Sequence, residues 1–262
     1  MWFMWIFEII GSIVIGVFSF IGRWSILAGK ALILAFKKPL RIKRYFNYLA
    51  SIGADSFPVI AITSFFTGGV LALETYNAFH RFNAEYLIGA VVGLSMAREL
   101  APVLTALLVT ARSGSAMAAE IGTMKVTEQI DALEMMAVNP IKYLITPRIY
   151  ASVLALVFLT VLSDIVGYIG GYVISVKMFN VNKVLFLKYT ESFMTMDDIY
   201  HGLIKAAFFG FILSVTSCLY GYYTRGGAKG VGEATTKAVV VSSMGILIFD
   251  YVITSLLRIF NL

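Results

Sequence analysis

Charged side chains are scarce in this sequence of 262 residues, where they make up only 14%. A soluble domain carries roughly 25% charged residues, so this chain has too few charges to cover a surface in water. Hydrophobic residues account for 59%, mean hydropathy is +0.85, and several apolar runs are long enough to cross a bilayer. Because the short alternating segments of a membrane β-barrel are absent, the sequence predicts an all-α, polytopic membrane protein with one domain, residues 1–262.

Other absences exclude several kinds of functional site. Cys218 is the only cysteine, which excludes an internal disulfide. No G-x-x-x-x-G-K-[ST] phosphate loop occurs, and the glycine-rich "RGGAKGVGEA" has its lysine in the wrong place. No paired carboxylates, His/Cys metal cluster or Ser–His arrangement stands out in the sequence. We therefore expect neither enzymatic activity nor a bound metal or cofactor in this chain.

Five spans are predicted from apolar length and flanking residues, at residues 56–79, 84–118, 148–176, 200–223 and 236–260. Basic residues cluster before the first span, between the second and third, and between the fourth and fifth, which places these regions in the cytoplasm. They are Lys37, Lys38, Arg41, Lys43, Arg44, Lys125, Lys142, Arg148, Arg225, Lys229 and Lys237. These loops account for the net charge of +6, and nucleic-acid binding is disfavoured because no basic face is interleaved with stacking aromatics.

The N-terminal segment, residues 1–48, is predicted to lie in the membrane interface beside a bundle formed by residues 56–262. Its apolar stretch is too long for a cleaved signal peptide, and Glu8 is the only charge before Arg23. Trp2, Trp5 and Trp24 are suitable interfacial anchors. The alternative, that residues 1–22 cross the membrane, stays open.

A polar, acidic stretch, "AEIGTMKVTEQIDALEMMAVNP" (residues 119–140), stands between two apolar spans. Its apolar and acidic residues fall on different sides of a helix, with Val126, Ile130, Leu133 and Ala137 opposite Thr127, Glu128, Asp131 and Glu134. Thr123 is predicted to be the N-cap, and Asn139-Pro140 the stop. The inner leaflet is itself negative, so this cytoplasmic helix fits a protein partner with a basic groove better than it fits lipid.

The run "ARELAPVLTALLVTARSGSAMAAEIGTMKVTEQIDALEMMAVNPIKYLITPR" (residues 97–148) strongly resembles the MlaE family of ABC-transporter permeases. The C-terminal "GVGEATTKAVVVSSMGILIFDYVIT" resembles the same family. The likeness covers about residues 56–262 and is weaker over residues 1–55. Ala101 departs from the pattern, since the family usually has glycine in "RELGP".

The resemblance implies a permease that moves phospholipid in a bacterial inner membrane. It implies a homodimer, an interfacial helix followed by five spans, two copies of a separate ATPase that bind ATP and Mg, and a periplasmic partner with an MCE domain. The acidic stretch would be the coupling helix that docks into the ATPase, through Glu120, Gly122, Thr123, Met124, Thr127, Glu128, Asp131 and Glu134.

Arg98 and Glu99 stand inside the second span. A charge at mid-bilayer costs roughly 2.5–3.5 kcal/mol on insertion scales, so each should face protein or water. Adjacent residues of a helix point in different directions, so their partners are sought in a wider set of intramembrane charges: Arg112, Asp164, Lys205 and Asp250. These charges either hold the bundle together or line a path for a lipid headgroup, and the two roles are compatible.

One stripe on the first span combines apolar residues with a carboxylate: Leu71, Glu74, Ala78 and Phe82. Ordinary helix packing explains it, and so does one wall of a cavity for acyl chains that opens to the outer side.

A lipid permease is thus the favoured function. The alternatives are an ion- or proton-coupled secondary transporter that uses Arg98, Glu99 and Asp250 as a relay, and a membrane scaffold without transport.

Overall fold

A computed structural model describes residues 2–35 and 42–259, without the side chains of residues 2–10, 12, 13, 35 and 42. Lys37, Lys38, Arg41 and the side chains of Trp2, Trp5 and Glu8 lie outside the described part, so their roles stay predictions. Every regular element in the described ranges is helical and none is a strand, which confirms the all-α class.

The helices follow one another with short connections. In chain order they are α1 (Trp2–Ala35), α2 (Ile42–Gly53), α3 (Phe57–Phe79), α4 (Ile88–Ser95), α5 (Ala101–Val109), α6 (Ser115–Val126), α7 (Gln129–Met135), α8 (Thr146–Tyr172), α9 (Lys183–Phe193), α10 (Met196–Tyr222) and α11 (Gly227–Ile259). Wider, π-helical segments join α4 to α5 and α5 to α6, and flank α8 on both sides: Met96–Leu100, Thr110–Gly114, Ile141–Ile145 and Val173–Met178.

Six helical stretches of the described chain are long and apolar enough to cross a membrane. They are Val14–Leu34, Lys43–Phe82, Glu85–Val126, Ile141–Met178, Met196–Tyr222 and Gly227–Ile259. The last five cover the five predicted spans except for residues 84, 223 and 260, so the chain is a multi-pass membrane protein. Length and composition qualify α1 as well, and its interfacial placement stays a prediction.

Helix α1 packs against one end of the bundle. Phe20 lies 5.8 Å from Tyr220 between ring centroids, and the indole of Trp24 donates a hydrogen bond to Thr216 at 3.1 Å. Leu27, Ala28 and Ala31 are buried with residues of α6, α7, α8 and α10, among them Ile121, Ile130, Ile145, Ile149 and Val215. The basic-residue distribution predicts that this end of the bundle faces the cytoplasm.

Helices α3 and α8 approach so closely that their glycines leave no room for side chains. A Cβ on Gly68 would lie 1.9 Å from the backbone oxygen of Gly167, and one on Gly170 would lie 2.1 Å from that of Phe65. The hydroxyls of Ser64 and Ser163 share a hydrogen bond of 2.7 Å across the same contact. Small residues and polar contacts of this kind drive helix association where lipid replaces water.

Gly170→Ala should therefore destabilise the bundle. The new methyl group would meet backbone atoms that have no rotamer to relieve the contact, and overpacking of this kind costs about 1–3 kcal/mol. Gly232→Ala is the matched control, because a Cβ there has nothing within 4 Å. Thermal unfolding in detergent would measure both variants. Equal melting temperatures would contradict the close contact between α3 and α8.

Candidate functional site

The acidic stretch is built from two helices and a turn, and not from one helix. Helix α6 runs to Val126, and the chain then turns at Thr127 and Glu128 before α7 begins at Gln129. Glu128 has φ of 59°, in the left-handed region, which interrupts the helical ladder. The predicted single helix is wrong, because the apolar residues keep a helical spacing across a turn that no glycine marks.

Thr123 is not an N-cap. It lies inside α6, where its hydroxyl donates to the carbonyl of Ala119 at 2.8 Å. Helix α6 carries no break between Ser115 and Val126, so the first part of the acidic stretch is continuous with the span that precedes it.

The short helix α7 ends at Met135, before the expected stop. The N–H groups of Ala137 and Val138 donate to the carbonyls of Glu134 and Leu133, both at 2.9 Å, with Ala137 in the left-handed region. This is a Schellman motif. Asn139 instead starts the next helical segment, since its side-chain oxygen accepts from the N–H groups of Ile141 and Lys142 at 3.0 and 3.2 Å.

The exposed surface of α7 combines acidic and apolar side chains. Ile130 is buried against the bundle, whereas Glu128, Asp131 and Glu134 lie outside this contact. Asp131 pairs with Lys125 at 2.7 Å, and Glu134 accepts a hydrogen bond from the Tyr222 hydroxyl at 3.3 Å. Both carboxylates are therefore partly engaged within the chain, and Glu128 makes no ion pair among the described residues.

Two exposed methionines at the end of α7 were missed by the sequence prediction. Met135 is 90% exposed and Met136 is 64% exposed. Large apolar side chains that stand free beside acidic ones favour contact with a protein surface over contact with water. An adjacent methionine pair after an acidic run was the available signal, but its exposure depends on the turn at Ala137.

The remaining residues that were predicted for coupling hold the acidic stretch to the bundle. Glu120 pairs with Arg148 at 2.7 Å, and the buried guanidinium of Arg148 lies 4.6 Å from the Tyr48 ring. A Cβ on Gly122 would lie 3.0 Å from the Thr224 hydroxyl, so this glycine sits against the turn between α10 and α11. Met124 packs with the buried cluster around Ile130, and the Thr127 hydroxyl donates to the Thr123 carbonyl at 2.8 Å.

A buried lysine organises the intramembrane charges. Lys205 of α10 is 1% exposed and pairs with Glu99 at 2.5 Å and with Asp250 of α11 at 3.0 Å. Its ammonium also donates to the carbonyl of Arg98 at 3.1 Å, and the Thr254 hydroxyl donates to Glu99 at 3.3 Å. Three of the six predicted network residues therefore meet directly.

The other three predicted members do not join this group through their side chains. Arg98 pairs with the buried Asp198, which lies in the first turn of α10 and was not among the predicted network residues. Arg112 pairs with Asp55 at 3.1 Å, toward the cytoplasmic end. Asp164 has one carboxylate oxygen that is buried and has no hydrogen-bond partner among the described residues. The single predicted network is thus divided among separate places in the bundle.

A cavity of about 540 Å³ opens beside the buried lysine. It is lined by the end of α4, the π-helical segment after it, α10 and α11: Leu94, Ser95, Arg98, Glu99, His201, Lys205, Thr254, Leu257 and Arg258. Seven of these nine side chains are polar or charged, and Leu94 and Leu257 are apolar. Such a lining suits the ionic head of an amphipathic molecule.

The residues of the predicted stripe on the first span differ in exposure, and its role as a cavity wall stays a prediction. Glu74, Ala78 and Phe82 are exposed, but Leu71 is half-buried against a cluster that includes Ala72 and Val92. The exposed apolar row that leads to Glu74 consists of Val59, Ile62, Phe66 and Val70. Val70 and Leu71 differ by about 100° around the helix, so the exposed face begins one residue earlier than predicted. Phe82 lies beyond the end of α3, in a 3₁₀ turn.

Comparison with known proteins yields one family and several relatives. A family model described as "Permease MlaE" matches residues 45–256. A probable ABC transporter permease protein of Rickettsia typhi is 47% identical over 244 residues, which cover 93% of this chain and 91% of the relative. The "Intermembrane phospholipid transport system permease protein MlaE" of Haemophilus influenzae is 36% identical over 253 residues, 95% of each chain. The chloroplastic protein "TRIGALACTOSYLDIACYLGLYCEROL 1" of Arabidopsis thaliana is 40% identical over 230 residues, 88% of this chain and 66% of the relative.

The Lys205→Met variant should be strongly destabilised. It removes the cation that two carboxylates share. Breaking a fully buried pair costs about 3–5 kcal/mol, and the cost here should be smaller because the Glu99 side chain is 42% exposed. Combining it with Glu99→Gln and Asp250→Asn should restore much of the stability, since no uncompensated charge remains. Thermal unfolding in detergent is the measurement.

Lys188→Met provides the control, because Lys188 is exposed on α9 and such surface changes stay within about 0.5 kcal/mol. A triple variant no more stable than Lys205→Met alone would show that packing around the lysine, and not charge compensation, determines the effect.

Proposed function

The chain belongs to the MlaE family of permeases, and from that membership we propose that it is the transmembrane subunit of an ABC transporter for phospholipid. It would act as a homodimer in a bacterial inner membrane, with a separate ATPase on the cytoplasmic side and an MCE-domain partner on the periplasmic side. The structural observation that carries the proposal is a cytoplasmic helix, α7, that exposes acidic and apolar side chains at the end of a continuous span.

The proposed docking element reaches the membrane part through two connections. Helix α6 continues from α7 into the bundle, and the ion pair between Glu120 and Arg148 ties α6 to the start of α8. When ATP and Mg bound by the partner bring its two copies together, movement of α7 would therefore act on α6 and α8 at once. No ATP chemistry is assigned to this chain, because its sequence has no phosphate loop.

The proposed lipid path runs along α3 to the outer side. The exposed row Val59, Ile62, Phe66 and Val70 would contact acyl chains, with Glu74, Ala78 and Phe82 at its outer end. The cavity beside Lys205 would take the polar part of the lipid, where Arg98 and Arg258 offer cationic groups. Phospholipid is amphipathic, and these two surfaces together match both of its parts.

The secondary-transport alternative requires Arg98, Glu99 and Asp250 to act as a proton relay. Lys205 pairs with both carboxylates and so joins α10 to the π-helical segment after α4 and to α11. The ion pairs therefore favour a structural role for Glu99 and Asp250. Transport that follows the proton gradient and needs no ATPase would support the alternative.

The double variant Glu128→Lys/Glu134→Lys should release the ATPase. Two acidic side chains on the exposed surface of α7 become basic, so the attraction to a basic groove is replaced by repulsion. Co-purification of the ATPase with the permease from membranes is the measurement, and we expect a loss of about tenfold or more.

The control makes the same change on the opposite side of the membrane. Glu191→Lys/Asp197→Lys reverses two exposed charges, one on α9 and one at the start of α10, and should leave ATPase binding unchanged. If both double variants retain the ATPase to the same degree, α7 is not the docking element.

Photo-crosslinkers at Val70 and Ala78 should capture phospholipid in a manner that depends on ATPase activity. Both positions are exposed on the proposed path, whereas Phe158, exposed on α8, serves as a bulk-lipid control. Inactivating the ATPase should change the yield at Val70 and Ala78 but not at Phe158. Equal yields at all three positions, insensitive to the ATPase, would rule out the proposed path.

A further inference from the structure

A second, smaller pocket lies at the cytoplasmic end of the bundle, far along the helices from the cavity beside Lys205. It has a volume of about 230 Å³ and lies between α1, the end of α10 and the start of α11. Its lining is Phe20, Arg23, Leu219, Tyr220, Tyr223, Thr224, Arg225, Gly230, Glu233, Ala234 and Lys237. We call it the α1–α11 pocket.

Cationic groups dominate the α1–α11 pocket. Arg23, Arg225 and Lys237 face a single carboxylate, that of Glu233. The contact between Lys237 and Glu233 is 3.7 Å long and exposed, so it neutralises little of the charge. The pocket therefore keeps an excess of positive charge at the membrane surface.

Most of the guanidinium donors in the α1–α11 pocket are free to bind a ligand. Arg23 donates through Nε to the carbonyl of Ser19 at 3.2 Å, and its guanidinium lies 5.4 Å from the Tyr223 ring. Arg225 makes no hydrogen bond or ion pair within the described part of the chain. Two arginines that present unused N–H groups to one cavity form a typical site for a phosphate, which accepts charge-assisted hydrogen bonds.

The apolar and aromatic lining distinguishes a lipid from a free anion. Phe20, Leu219 and Ala234 line the same cavity as the cations, and Tyr220 and Tyr223 are aromatic residues of the kind that sit at headgroup level. Basic pockets between spanning helices on the cytoplasmic side bind anionic headgroups. From these observations we propose that the α1–α11 pocket binds the phosphate headgroup of an anionic phospholipid from the inner leaflet.

This site would be distinct from the proposed substrate path and would act on the coupling region. Thr224 lines the pocket and also abuts Gly122, where an added Cβ would lie 3.0 Å from its hydroxyl. Arg23 belongs to α1 and Arg225 to the connection between α10 and α11. A lipid that bridges these arginines holds α1 against the bundle, one contact away from the segment that is proposed to receive the ATPase.

Native mass spectrometry of the full transporter tests the proposal with defined lipids. Phosphatidylglycerol should bind the wild-type complex several-fold more tightly than phosphatidylcholine does. Arg225→Gln should weaken phosphatidylglycerol binding about fivefold, the factor expected for one basic side chain at an anionic lipid surface, and leave phosphatidylcholine binding unchanged. Unchanged phosphatidylcholine binding also shows that the variant is folded. Arg23→Gln should have a similar effect.

Lys229→Gln is the matched control, because Lys229 is exposed on α11 close to the pocket but does not line it. Equal phosphatidylglycerol affinities for Lys229→Gln and Arg225→Gln would overturn the proposal. So would displacement of the lipid by millimolar inorganic phosphate, which would identify a free-anion site. Loss of the ATPase from Arg225→Gln with unchanged lipid preference would instead assign these arginines to the protein partner, and would overturn it as well.

Discussion

The ion pairs of Lys205 are the interaction on which the arrangement of the outer half of the bundle depends. A lysine that is 1% exposed must be compensated within the protein, since lipid offers no hydrogen-bond partners. Its partners lie on two other stretches, with Glu99 in the π-helical segment after α4 and Asp250 on α11. One cation thereby fixes three spanning elements relative to one another and forms the wall of the larger cavity. Lys205 therefore both holds the bundle together and lines the cavity.

Other parts of the bundle are held by close approach of backbones and not by charge. Lipid is as apolar as leucine, so burying leucine between helices gains little in a membrane, and contact distance matters more. Gly68, Gly167 and Gly170 let α3 and α8 meet at backbone distance, and Ser64 bonds to Ser163 within that contact. The bundle thus combines a rigid pair, α3 and α8, with an ion-paired group around Lys205. Gly210 brings α10 to backbone distance of α8 as well, since a Cβ there would lie 2.9 Å from the backbone oxygen of Ser152, so the two parts are packed against each other.

The sequence predicted well those properties that depend on local composition. The spans follow from apolar length, which is visible in any short window. The turn at Glu128 was missed because a non-glycine residue in the left-handed region has no sequence signal of its own. The pairing of Arg98 with Asp198 was missed because it depends on how deep α10 sits, which segment boundaries do not show. Leu71 was grouped with Glu74 and Ala78 because helical spacing gives the angle between residues, but packing decides which angle faces the neighbours, and Leu71 is partly buried against them.

The backbone conformation at the two ends of α7 would limit how this helix moves in the proposed docking. Left-handed residues bound it at both ends, Glu128 with φ of 59° and Ala137 with φ of 57°, and neither is glycine. Such positions cost roughly 1–3 kcal/mol of strain each and persist only where the surroundings hold them. Here Ile130 is buried beneath the helix and Lys125 pairs with Asp131 across the turn. Glycines at these two positions would adopt the same backbone conformation with less strain, but they would leave α7 free to change its orientation. The non-glycine residues restrict α7 to one orientation, which would lower the entropy lost on binding. Movement of a docked partner would then be passed on to α6, because the turn between the two helices does not bend.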